Sequence, residues 1–275
     1  MLFQPAVGKN TYHRGVNINN FVEDRALEEH KLKEFLQKQA TGQLSTLRAH
    51  EIILHSRQRV ELKPINPDGF LRFGDQIQLE NVFTESVVAS DFGDEITIEE
   101  DKDTYATTCT PIVAPMLRNV FVIERPPEEF IAAEDLLNDV LHFNQNFVLR
   151  AHPDYTARPF YLASVLTTPQ LHSRYSKQQL VFLTDEKKFS SAWKVWNWDP
   201  QLRADTDGDP VRTTLKDGVT KEVFVIVHSH TGIPLGADKI KYANIFGNEH
   251  ELFCKNDVDN HRAQTKKNYW NLITA

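Results

Sequence analysis

The first quarter of the chain has the hydrophobic spacing of amphipathic helices. Residues 23–39 are strong helix formers without glycine or proline, and an apolar stripe that includes Leu32 and Phe35 runs along one side. A second helix is predicted from residue 44 to about residue 58. Short amphipathic helices are not stable alone in water. We therefore predict that residues 1–63 form a helical arm that needs a surface to lie on.

The pattern changes after this arm to short runs of β-branched and aromatic residues separated by Gly, Pro, Asn and Asp, which predict strands. Three stretches share one order of features. The opening strands are residues 77–79, 147–149 and 224–226, the middle strands run into acidic turns at 94–102, 178–186 and 250–257, and the closing aromatic strands are 121–123, 193–195 and 270–272.

Three sequential β repeats of similar length predict a closed, three-lobed structure. The fold class is thus mainly β: a β-trefoil over residues 64–275, with lobes at about 70–145, 146–200 and 201–275. The alternative is an irregular β-sandwich, because regularly spaced short strands with turn signals fit that fold as well.

Composition and charge narrow the classes of function. Apolar residues make up 40% of the chain, and the formal net charge is -7. No clustered Lys/Arg surface is visible, so we expect no nucleic-acid partner. No apolar run is long enough for a membrane span, and the first residues lack the pattern of a secretory signal. A cytoplasmic protein with reduced, buried Cys109 and Cys254 is expected.

The motifs that carry chemistry are weak, so we predict no catalytic, cofactor-binding or metal-binding residues and no enzyme. Asp205–Asp209 has alternating carboxylates but fails the calcium-loop pattern, which needs Gly and Glu where Pro210 and Lys216 stand. His228 and His230 would share one face of a strand, a spacing found among zinc ligands but more typical of a polar strand end. Nucleophile and phosphate-loop motifs are missing from the sequence.

Three tryptophans cluster in one predicted strand, at positions 193, 196 and 198. We expect them to share one face, with Trp193 filling the core. Three large rings on one face exceed what a single lobe usually buries. We therefore expect Trp196 or Trp198 to act as an aromatic anchor at an interface.

Short strings distributed in order along the chain indicate a family. They lie at residues 15–21, 73–75, 161–164, 183–186, 199–203 and 268–274. In these strings the chain resembles the cilia- and flagella-associated protein 161 family of microtubule inner proteins. The β lobes also resemble the MIR-type trefoils of intracellular channel receptors, in which similar strings open and close each lobe.

The resemblance implies a structural protein that binds tubulin at the lumenal face of the A-tubule of ciliary doublet microtubules, together with other microtubule inner proteins. Its expected location is then the cytoskeleton of the cilium or flagellum. The alternative is a soluble ligand- or carbohydrate-binding β-trefoil module, with an exposed Trp stacked on a sugar. The residues predicted to contact partners are Val16, Ile18, Phe21, Leu32, Phe35, Trp196 and Trp198.

Overall fold

The computed structural model describes residues 17–42, 44–62, 68–98, 103–131, 138–215 and 222–274. The chain divides into two compact units, Met1–Glu51 and Ile52–Ala275. The first unit holds helix α1, Asn17–Ala40, and the start of helix α2, Ser45–Ser56. The second unit holds the last turn of α2 and the described strands. Val16, one of the predicted partner-binding residues, lies outside the described residues.

Helices α1 and α2 confirm the two predicted helices, although α1 begins at Asn17 rather than at residue 23. At the end of α1 the Thr41 hydroxyl donates to the carbonyl oxygen of Gln37 at 2.9 Å, and Gly42 has a φ of 69°. A left-handed glycine after the last turn stops a helix without the strain that a Cβ would cause. Neither described helix is long and apolar enough to cross a membrane.

The described residues of the second unit form thirteen strands. Lobe 1 contains β1 (Gln76–Asn81), β2 (Ser86–Glu95), β3 (Thr104–Thr110) and β4 (Phe121–Glu124). Lobe 2 contains β5 (Asn146–Ala151), β6 (Tyr161–Ser164), β7 (Gln179–Thr184) and β8 (Ala192–Asn197). After the short β9 (Thr214–Leu215), lobe 3 contains β10 (Phe224–His228), β11 (Leu235–Asn244), β12 (Gly247–Cys254) and β13 (Tyr269–Thr274).

The first and last strands of the three lobes close into a barrel. The strands follow one another around the ring in the order β1, β4, β5, β8, β10 and β13, and β13 pairs with β1 to close it. Each neighbouring pair is antiparallel. The ring has no open edge, so its backbone donors and acceptors are satisfied internally. Two stacked sheets cannot produce this ring, so the irregular β-sandwich is excluded.

The middle strands of each lobe form hairpins, and the three hairpins meet in a triangle. The strands β3, β7 and β12 contact one another through the register pairs Ala106↔Phe182, Leu180↔Phe253 and Glu251↔Thr108. In each strand the two paired positions are two residues apart. The hairpins are therefore related by a pseudo-threefold axis, and the fold is the predicted β-trefoil.

The middle strand of lobe 1 was predicted at the wrong place. Residues 94–98 form the end of β2 and the start of the turn, and the strand equivalent to β7 and β12 is β3 at Thr104–Thr110. The acidic residues of the turn resemble the acidic ends of the other middle strands. Strand β3 itself is rich in threonine, whose hydroxyls are satisfied inside the fold: Thr107 Oγ1 donates to the carbonyl oxygen of Val181 at 2.9 Å.

Three segments that lead into the lobes meet at Leu71, Leu141 and Val211. The Leu71 amide donates to Val211, the Leu141 amide to Leu71 and the Val211 amide to Leu141, at 2.9, 2.8 and 2.8 Å. All three side chains are fully buried. This cyclic set of backbone hydrogen bonds repeats the threefold relation of the lobes.

Equivalent side chains from the three lobes fill the core. Phe121, Trp193 and Trp270 hold the same position in the closing strands, and each is fully buried. The Nε1 atoms of the two tryptophans donate to the carbonyl oxygens of Leu162 and Leu235, at 2.8 and 3.0 Å. Because a buried indole N–H needs an acceptor, these bonds fix the orientation of both rings. The prediction that Trp193 fills the core is confirmed.

Candidate partner-binding site

Helix α1 exposes its apolar side chains. The described side chains from Phe21 to Ala40 are all exposed, and the exposed fractions are 66% at Phe21, 59% at Leu32 and 50% at Phe35. Phe21 and Leu32 are about three helical turns apart, so they lie on the same face about 16 Å apart along the axis. Large apolar side chains grouped on an exposed face mark an interaction site.

A charged turn divides this face into two apolar patches. Arg25 and Glu29 lie between them and form an ion pair of 3.5 Å between Nε and Oε1. The first patch contains Phe21 and Val22, and the second contains Leu32, Phe35 and Leu36. We call them the Phe21 patch and the Leu32 patch. Ile18, the other predicted residue of the helix, lies in its first turn.

The tryptophans of β8 do not share one face, so that expectation was wrong. Trp193 is fully buried, Trp196 is half-buried and Trp198, just after the strand, is 46% exposed. Successive side chains of a strand point to opposite faces, so a step of three residues reverses the direction. Trp196 and Trp198 are therefore turned away from the barrel core.

Trp196 and Trp198 border an open groove made by the connections between lobes. One part has a cavity volume of about 590 Å³, the adjoining part has about 330 Å³, and the two parts share Phe143 and Asn197. Trp198 and Asp209 line the larger part, whereas Trp196 lines the smaller one. We call the two parts together the Trp198 groove.

The smaller part of the groove contains an arginine held in place by its neighbours. The guanidinium carbon of Arg203 lies 5.0 Å from the ring centroid of Trp196, which is a cation–π contact. Arg203 Nε donates to the carbonyl oxygen of Asn197 at 2.9 Å, and Nη2 donates to Oε1 of Gln264 at 2.6 Å. Partial burial lowers the pKa of Arg203, although an arginine stays charged in proteins.

A buried ion pair outside the groove joins two lobes. Arg118 and Glu249 are 1% and 3% exposed, and Arg118 Nη1 and Nη2 donate to the two carboxylate oxygens at 2.6 and 3.0 Å. The Thr108 hydroxyl and the Asn244 amide also donate to Glu249, at 2.6 and 2.7 Å. Burial alone would raise the pKa of Glu249, but these hydrogen bonds and the charge of Arg118 lower it below its ordinary value.

The same region holds the last turn of α2 on the trefoil. The backbone amide of Arg118 donates to the carbonyl oxygen of Ser56 at 3.3 Å, and that of Leu117 donates to Gln58 at 3.0 Å. His55 Nε2 lies 3.0 Å from the carbonyl oxygen of Tyr155. The end of α2 is thus a structural part of the second unit.

The histidines do not form the arrangement that zinc binding needs. Strand β10 ends at His228, so His230 lies in the following turn and is exposed, and the two rings are 6.2 Å apart. His228 is buried, with Nε2 2.8 Å from the carbonyl oxygen of Ser190 and Nδ1 2.9 Å from the Thr231 hydroxyl. Burial lowers the pKa of His228 to about 4. Its ring is a neutral, hydrogen-bonded part of the core.

Within the ranges described, no three His, Cys, Asp or Glu side chains are grouped to hold a metal ion. Cys109 and Cys254 are buried free thiols, and burial raises the pKa of Cys254 to about 12. A thiol with a raised pKa is a poor nucleophile at neutral pH.

Comparison with known proteins identifies the family. The model of the cilia- and flagella-associated protein 161-like domain matches residues 55–275. A relative named Cilia- and flagella-associated protein 161, from Bos taurus, is 30% identical over 283 residues, which is 98% of this chain and 84% of the relative. The chain belongs to this family. The family identification made from the sequence is therefore confirmed, and with it an association with cilia and flagella.

The Mus musculus relative of the same name is 28% identical over 286 residues, covering 98% of this chain and 90% of the relative. The family domain begins at His55, inside α2, so it contains the anchored turn of that helix and the whole trefoil. Helix α1 precedes the domain but lies within the length that the relatives match.

Solved structures of other proteins share the fold. The SDF2-like protein from Arabidopsis thaliana has a TM-score of 0.54 at 15% identity, over 74% of this chain and 94% of that protein. A Caenorhabditis elegans protein of unknown function also has a TM-score of 0.54 at 15% identity, over 76% of this chain and 98% of that one. At this identity the likeness concerns the fold alone, which is the MIR-like β-trefoil.

Proposed function

We propose that this protein is a non-catalytic microtubule inner protein. It lies in the lumen of the A-tubule of ciliary and flagellar doublets, binds tubulin and neighbouring inner proteins, and stabilises the axoneme. Family membership supports the ciliary setting. The observation that carries the proposal is the exposed apolar face of α1, because such a helix needs a partner surface.

The two patches of α1 give the arm two separate anchoring points. Burial of one large apolar side chain contributes about 1.5–3 kcal/mol, so the Leu32 patch alone can supply several kcal/mol to binding. The charged turn at Arg25 and Glu29 sets the patches apart, which suits two contacts on a lattice more than one deep pocket. The acidic net charge of -7 is compatible with the lumenal surface, which lacks tubulin's acidic outer tails.

Axoneme retention in ciliated cells tests the proposal. Four tagged chains are compared after detergent extraction of membrane and matrix: the full chain, a deletion of residues 1–42, Leu32→Gln with Phe35→Gln, and the matched control His30→Gln with Lys33→Gln. Glutamine preserves helix propensity, so both double variants keep α1 intact. We expect the full chain and the control to remain, and the deletion and the Leu32 patch variant to wash out.

Lumenal location is tested on the same extracted axonemes. A protein inside the A-tubule is shielded from added protease until the doublets are opened, whereas a protein on the outer surface is cleaved at once. Digestion of the tagged chain in intact doublets, or full retention of the Leu32 patch variant, would contradict the proposal.

A further inference from the structure

Trp198 differs from its neighbour Trp196 in one respect. The guanidinium of Arg203 lies over Trp196, but within the described chain no cation lies over Trp198. The Trp198 ring has an edge contact with Tyr269, whose centroid is 6.0 Å away, and 46% of the residue is exposed. Trp198 therefore presents an uncovered aromatic surface to the larger part of the groove.

The rim of this groove is acidic. The segment 199–210 contains four aspartates and a single arginine. Asp205, Asp207 and Asp209 are exposed, and none of the ion pairs in the described structure involves them. Asp209 lines the same cavity as Trp198. Glu222 and Arg212 line this cavity too, and Arg212 interacts electrostatically with Glu222.

We propose that the Trp198 groove binds an extended segment of another protein that carries Lys or Arg. Its cationic side chain lies over Trp198, where Trp attracts a cation most strongly among the aromatic residues, and faces Asp209 and the acidic rim. The cation–π contact between the partner and Trp198 then resembles the one between Arg203 and Trp196 within the chain. The groove is open to solvent along both parts, which suits a peptide lying across it more than an enclosed small molecule.

This inference deepens the proposed function, because the basic segment would belong to a neighbouring inner protein. Its test uses the purified full chain without microtubules, so the two proposals can fail separately. The probe is a fluorescein-labelled Arg-Pro repeat octapeptide, which stays extended, and a Glu-Pro repeat of the same length is the charge control. Binding is measured by fluorescence anisotropy at low salt and again at higher salt.

We expect the Arg-Pro peptide to bind and the Glu-Pro peptide not to bind. Trp198→Ala should weaken binding about fivefold to tenfold, the size of one partly exposed cation–π contact. Asp205→Asn, Asp207→Asn and Asp209→Asn together should weaken it at least about threefold at low salt and less at higher salt. These aspartates are exposed, so the triple variant tests the groove even if Trp198→Ala disturbs packing on Tyr269.

The matched control is Glu85→Gln, Glu128→Gln and Glu129→Gln, which changes the net charge by the same amount on exposed residues elsewhere. It should leave the peptide affinity within about twofold, since screened surface charges far from the ligand contribute little. Equal weakening by the control and the rim variant would mean diffuse attraction to an acidic protein and would overturn the proposal. Unchanged affinity in Trp198→Ala would overturn it as well. The proposal would also be overturned if mannose quenched the Trp fluorescence and the peptide did not bind, because that result would indicate a sugar site.

Discussion

Replacing Glu249 with glutamine tests the energetic role of the buried ion pair. Four hydrogen bonds of 2.6 to 3.0 Å converge on the Glu249 carboxylate, two of them from Arg118. Glutamine removes the negative charge and turns an NH₂ group toward these donors, so a 1% exposed guanidinium loses the carboxylate that is paired with it. Loss of one partner of such a pair costs about 3–5 kcal/mol. For a unit of this size the melting temperature should fall by roughly 6 to 20 °C.

Urea unfolding followed by tryptophan fluorescence measures this cost, because Trp193 and Trp270 lie in the core. The matched control is Glu124→Gln, which weakens the partly exposed pair with Arg150 and should cost at most about 1 kcal/mol. Replacing both Arg118 and Glu249 with apolar residues should recover much of the loss, because the buried guanidinium is then removed together with its partner. The reasoning is refuted if Glu249→Gln costs no more than the control, or if the double variant is as unstable as the sum of the single ones.

Three further predictions concern the trefoil. The pKa of His228 is lowered to about 4, so between pH 6.5 and 4 the unfolded chain binds a proton that the native state excludes. The free energy of unfolding should therefore fall by about 3 kcal/mol over this range. In urea titrations His228→Gln should make the free energy of unfolding less dependent on pH. Burial raises the pKa of Asp91 to about 6, so its charged form destabilises the fold at pH 7.5. Asp91→Asn should therefore raise the free energy of unfolding at that pH by about 1–3 kcal/mol, and a lower value than that of the unchanged chain would contradict the raised pKa. Trp270→Phe should lower the free energy of unfolding by about 1–3 kcal/mol, since the carbonyl of Leu235 loses the indole donor. Calorimetry should find a smaller loss of stability for Phe121→Leu, which breaks no hydrogen bond.

The threefold repeat was predictable because it depends on local features. Closing strands such as 193–195 alternate apolar and polar residues, as expected for a barrel with one buried face, and opening strands such as 147–149 are short continuous apolar runs. Strand β3 was missed because its threonines are buried through hydrogen bonds to distant strands, so no alternation marks it. The early start of α1 at Asn17 was missed because asparagine-rich sequence has low helix propensity.

The candidate site was predictable only as a set of residue types. Exposed Phe21, Leu32 and Phe35 follow from helical spacing, and their role in partner binding stays a prediction. The groove beside Trp198 was not predictable, since Phe143 reaches it from a connection that lies 55 positions before Trp198 in the sequence. The pair of Arg118 and Glu249 was missed for the same reason: the two residues are 131 positions apart and carry no shared motif.

The pairing of β13 with β1 has a consequence for how the protein is made. Asn271 in β13 donates to Glu80 in β1 across 191 residues of chain, and β13 also pairs with β10. During synthesis β1 and β10 are made before β13. Until β13 pairs with them, their edges expose unpaired backbone donors and acceptors that can bind other chains. A stop codon just before Tyr269 would remove β13 and leave the ring open. We therefore expect chains that end just before β13 to be degraded as readily as chains that end much earlier.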